Sequence, residues 1–117
     1  MAHYVDGFVL PVPKKNLKAY LRMAKLAGKI WREHGALEYS ESVADDVKKG
    51  KLTSFPQSVK LKAGETVIFS YAVYKSRAHR DKVMEKVMND PRMQMYEDLP
   101  FDGMRMFWGG FKNVVSV

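Results

Sequence analysis

The sequence predicts an α+β fold of βαββαβ order: a four-stranded antiparallel sheet with two helices on one face. Three observations lead there. Four segments have strand character, two have helical periodicity, and they follow one another in that order. The chain has 117 residues, long enough for one buried core and too short for two, so a single domain over residues 1–117 is expected.

The first strand is Tyr4 to Leu10, "YVDGFVL", rich in aromatic and β-branched residues and ended by Pro11 and Pro13, which have no N–H to give to a ladder. From Asn16 to His34 the period becomes helical, with Leu17, Tyr20, Leu21, Ala24, Ala27, Gly28 and Trp31 on one face. Asn16 is the expected N-cap and Gly35 the C-cap. Ala19, Met23, Leu26 and Ile30 widen the apolar arc beyond what one sheet contact needs, while Lys18, Arg22, Lys25, Lys29 and Arg32 form a basic stripe. This helix is expected to touch the sheet on one side and a second helix or subunit on another.

Ala36 to Val43, "ALEYSESV", reads as the second strand, with Glu38, Ser40 and Ser42 on one side. The lysine-rich stretch that follows, with its Gly and Pro, reads as a long, partly ordered connection. Thr66 to Tyr74 is the strongest strand, uncharged on both sides and so expected to be central and covered twice. Ser76 caps a second helix to about Asn89, with Arg80 in line with Val83, Met84 and Val87. Asp90-Pro91 opens a short helical turn, Pro100 to Gly103 is a turn, and Met104 to Phe111 is the last strand. Helices on one face leave the other sheet face apolar, which predicts a homodimer packed sheet to sheet.

Composition narrows the function classes. There are no cysteines, which removes thiolate nucleophiles, disulfides and zinc–thiolate sites. The N-terminus "MAHYVDGF" is no signal peptide and "TVIFSYAVY" is too short to span a bilayer, so a cytoplasmic protein away from membranes is expected. The formal net charge of +7 speaks to solubility and non-specific association more than to a dedicated partner. His3, His34 and His79 lack metal-ligand spacing, and no GxSxG, P-loop or GxGxxG occurs; no metal or cofactor is expected. Glu38, Glu41, Asp45 and Asp46 read as solvated rather than catalytic.

"YVDGF" near the start, "VMNDPRM" after the second helix and "PFDGMRMFWGGF" near the end together resemble the YbaA-like family of uncharacterised bacterial proteins. That resemblance implies a ferredoxin-like fold of the dimeric α+β barrel type. The superfamily so implied includes cofactor-independent monooxygenases, heme-degrading enzymes and many members without a known activity.

In a ferredoxin-like sheet the first and last strands are neighbours, which directs attention to two charges inside apolar strands. Asp6 needs a partner if it is buried, and Arg105 interrupts the last strand in the same way, so an Asp6–Arg105 pair is expected. Gly109-Gly110 has two readings: a bulge bending an edge strand, or a slot walled by Trp108, Tyr71 and Phe8 for a flat apolar molecule. Asp6, Tyr71, Arg105 and Trp108 are the candidate ligand-binding residues, with no catalytic residue assigned. The leading function is binding of an aromatic or lipophilic small molecule, or monooxygenase-like chemistry on it without a cofactor. RNA binding is the alternative, since RNA-recognition modules share the element order. The third strand has neither the glycine nor the basic residue such modules use, so nucleic acid is disfavoured. A dimeric regulatory or assembly module without a ligand is the third reading.

Overall fold

A computed structural model describes residues 3–95 and 99–117. The elements are β1 (Tyr4–Pro13), α1 (Leu17–Glu33), β2 (Glu38–Val43), α2 (Phe55–Ser58), β3 (Glu65–Tyr74), α3 (Arg77–Met88) and β4 (Phe107–Lys112). The strands form one antiparallel sheet in the order β2-β3-β1-β4, so the first and last strands are neighbours.

β1 runs through both prolines to Pro13 instead of ending at Leu10. The pairing explains why this is tolerated. The Lys14 N–H is donated to Gly64 beside β3, so strand alternation turns the nitrogens of Pro11 and Pro13 the other way. β4 pairs with β1 only as far as Val9, so the ladder calls for no N–H from Pro11 or Pro13 on that side.

Alternation also sorts the sheet into two faces. Leu10, Val12, Ile68, Ala72 and Tyr74 lie on one, where Tyr20, Ala24, Ile30 and Trp31 of α1 and Val83 and Val87 of α3 bury them. Both helices therefore cover the same face, and Ile30 and Trp31 of α1 share one buried cluster with Val83 and Val87 of α3, as the wide apolar arc of α1 requires. Ser76 accepts the His79 N–H at 3.1 Å as the N-cap of α3. Gly35, at φ +117°, ends α1, and a side chain there would also crowd His79 and Val83. Asn16 sits at the N-cap of α1 without capping it; its Nδ2 donates to the Pro100 carbonyl at 3.2 Å.

The opposite face is partly covered by the connection after β2, where Val59 packs with Val9 and Val67. Within this connection α2 is capped by Ser54, which accepts the Gln57 N–H at 3.2 Å. The rest of that face presents Phe69, Phe107 and Phe111 at 46%, 48% and 65% exposure. Arg105 lies outside β4, because the Asp102 side chain accepts the Met104 N–H and holds 103–105 in a 3₁₀ turn. Among the described residues no helix is long and apolar enough to cross a membrane.

Candidate functional site

Between the sheet and α1 lies a cavity of about 520 Å³. Phe8, Ser70, Tyr39, Glu41 and Trp108 form its floor, and Tyr20, Met23, Ala24, Ala27 and Trp31 of α1 form its roof. Met84 and Met88 of α3 close one side, and Met93, Phe101 and Met106 close others. Small residues on the roof and unbranched methionines on the walls leave this volume open, where larger branched side chains would fill it.

Glu41 is the acid in this lining among the described residues. Its carboxylate accepts from the Tyr39 hydroxyl at 2.6 Å and, in a short contact, from the Tyr20 hydroxyl. Burial first, and then the Glu41 charge, push both phenols far above their usual ionisation range, so both remain protonated donors. Gly28 permits the arrangement, because a Cβ there would stand 2.8 Å from the Tyr39 ring. Glu41 also borders an outer groove along α1, lined by Lys18, Arg22, Lys25, Lys29 and Arg32. It thus marks the boundary between a basic surface and an apolar interior.

Asp6, opposite Gly110 in the sheet, is fully buried. Its partner is Arg80, not the expected Arg105: Arg80 Nη1 donates to Asp6 Oδ1 at 3.1 Å and Nη2 to the Tyr4 hydroxyl at 3.3 Å. The guanidinium also stands 5.1 Å from the centre of the Tyr4 ring and 5.9 Å from that of Trp108. Among the described residues Asp6 Oδ2 has no aligned donor, and Arg80 Nε, 3.0 Å from Asp81, has no aligned acceptor. Tyr74 lies beside Asp6 and eases its charge; the Tyr74 hydroxyl accepts from Trp31 Nε1 at 3.0 Å. Burial nevertheless outweighs Arg80 and holds the Asp6 carboxyl above its ordinary pKa.

Arg105 sits toward the other end of the β1–β3 pair. It makes two hydrogen bonds to Glu65, at 2.8 and 2.6 Å, one to Asp102 at 2.9 Å, and reaches the Val59 and Lys60 carbonyls. The expected pair fails because the chain is still turning at 103–105, so Arg105 never enters the strand beside Asp6. Tyr71 alternates onto the opposite sheet face, next to Phe69, and does not meet Trp108. Of the slot expected around Gly109-Gly110, Phe8 and Trp108 stack with centroids 5.9 Å apart, and the Tyr71 wall is missing. The bulge is also absent, since Gly110, Gly109 and Trp108 pair in unbroken register with Asp6, Gly7 and Phe8. Gly110 is needed for a different reason: a Cβ would come within 2.7 Å of the Tyr4 ring that stacks under Arg80.

A family model described as "Protein of unknown function (DUF1428)" matches residues 3–103. The chain belongs to this family. An uncharacterized protein, YbaA, of Escherichia coli K12 is 45% identical over 114 residues, covering 97% of each chain, and the YbaA of Shigella flexneri matches equally. Among solved structures, a dimeric ferredoxin-like protein from an uncultured marine organism aligns with a TM-score of 0.57 at 9% identity, over 100% of this chain and 98% of that one. This likeness establishes the ferredoxin-like fold.

In this family member the sequence signals for the inner site are present but weak. Alternation in β2 puts Glu41 with Tyr39, opposite Glu38, Ser40 and Ser42, and therefore on the helix side. What draws Glu41 inward is Tyr20 of α1, a contact across 21 residues. Arg80 already stood in the apolar stripe of its helix, which is the signal for an arginine aimed at a buried acid.

Proposed function

We propose that this protein binds an aromatic or lipophilic small molecule in the cavity between the sheet and α1. The observation that carries this reading is the cavity itself: about 520 Å³ of space walled by aromatic rings and methionines, with a small polar corner. Ligand sites have this size and character, whereas domain cores are filled. A thermal-shift screen against quinols, phenols and heme tests it. At least one class is expected to raise Tm, and Ala27→Leu, which intrudes on the space, is expected to remove the rise while the protein stays folded. Absence of a shift with every class overturns the reading. Oxygen uptake with any compound that binds then tests the finer form, cofactor-independent oxidation of the ligand.

We further propose that the protein, one domain per protomer, works as a homodimer through the open sheet face. Phe69, Phe107 and Phe111 are too exposed for a free apolar face, and the marine fold neighbour is described as dimeric. Light scattering at micromolar concentration should give twice the monomer mass, and Phe69→Arg should halve it; a monomer for the unmodified chain overturns the proposal.

A further inference from the structure

This inference rests on the small-molecule reading above and adds the chemistry of the ligand. We infer that Glu41 sets the specificity of the cavity, admitting lipophilic molecules that carry a hydrogen-bond donor, a hydroxyl or an ammonium, and excluding those that carry a carboxylate.

The hydrogens at the polar corner lead to this conclusion. A phenol has one hydrogen to donate, and those of Tyr20 and Tyr39 are both directed to Glu41. Ser70, the cross-strand neighbour of Glu41 in the lining, has a single hydroxyl hydrogen. Trp31 gives its N–H to Tyr74. The indole N–H of Trp108 belongs to β4, at the opposite edge of the sheet from β2. The five methionines of the lining, Met23, Met84, Met88, Met93 and Met106, offer only thioether sulfurs, which accept weakly and cannot donate. A ligand group arriving at Glu41 therefore meets, among the described residues, a charged acceptor and lone pairs, with one serine hydrogen against them. A hydroxyl or ammonium completes that arrangement with a charge-assisted hydrogen bond. A carboxylate would face like charge, with the Ser70 hydroxyl as the one uncommitted donor beside Glu41 among the described residues.

The groove outside argues for a different outcome, which makes the inference testable. Lys18, Arg22, Lys25, Lys29 and Arg32 line it, and none of them forms an ion pair with Glu41. If this basic stripe governed entry, anionic amphiphiles would bind best.

The experiment compares octylamine, octanol and octanoate by titration calorimetry at one ionic strength, on the unmodified protein and on Glu41→Gln. Octanol and octylamine are expected to bind at least about tenfold tighter than octanoate, and Glu41→Gln to shrink that gap to about threefold or less. Whichever of the two donors binds tighter shows which donor the Glu41 corner prefers. Octanoate binding as tightly as octanol, or a gap unchanged in Glu41→Gln, overturns the inference and leaves the small-molecule reading standing. Binding of none of the three overturns the inference, and the screen with quinols, phenols and heme decides the small-molecule reading separately. Should Glu41→Gln fail to fold, Glu41→Asp, which withdraws the carboxylate by one methylene, is expected to narrow the gap in the same direction.

Discussion

Asp6–Arg80 and Glu65–Arg105 are both arginine–carboxylate pairs at the margins of β1, yet they are built on opposite terms. Arg105 satisfies its fork: two bonds to Glu65, one to Asp102 and two to backbone carbonyls, so Glu65 and Asp102 are held below their usual pKa. Arg80 reaches Asp6 through one bond, and each partner keeps a buried polar atom without an aligned partner. There the carboxyl is held above its usual pKa, burial being the larger influence and Arg80 the smaller. The number of aligned hydrogen bonds, more than proximity of opposite charges, decides whether burial favours or penalises a charged pair. The Arg105 cluster clamps the segment before β4 onto β3. The Asp6 cluster instead adjoins the cavity through Trp108, whose ring faces the Arg80 guanidinium.

Truncating Arg80 is the sharpest way to break this contrast. Arg80→Ala leaves Asp6 buried and unpaired and is expected to cost about 3–5 kcal/mol, whereas the double replacement Asp6→Leu/Arg80→Met should lie much closer to the unmodified protein. A double-mutant cycle in urea measures this; simply additive costs would show that the pair is not coupled. The next largest effect is expected at Gly110. Gly110→Ala drives a methyl into the Tyr4 ring and should cost about 1–3 kcal/mol by overcrowding. It should also lessen the further loss caused by Arg80→Ala, because the Tyr4 contact would already be displaced; independent effects of the two would argue against that contact.

Acid titration is the finest test, since the two sites respond with opposite sign. Glu65 has a lowered folded pKa, so its contribution is present above its unfolded value near 4.5 and is lost as pH falls through the folded value. Asp6 has a raised folded pKa, so its contribution is present below the unfolded value near 3.8 and is lost as pH rises through the folded one. Arg105→Met should therefore flatten the loss of Tm on the acid side, and Asp6→Asn should steepen it. Tm recorded from pH 7 downward checks both slopes, and parallel profiles for the two variants would contradict the contrast.

The sequence by itself determined the element order and the faces. Each rests on short-range chemistry: the period of Leu17 to Trp31, the Ser76 cap, the alternation of Thr66 to Tyr74. It also showed that Asp6 required a partner, because a carboxylate in a buried strand does so wherever the strand ends up. Which arginine answers was decided only by tertiary structure. The Asp102 turn keeps Arg105 out of β4, and the packing of α3 on the sheet brings Arg80 across 74 residues to Asp6. The cavity and its Glu41 corner belong to the same category. Tyr20, Glu41 and Trp108 come from three elements, and the space among them depends on how closely α1 approaches the sheet, a distance that no local pattern of residues encodes.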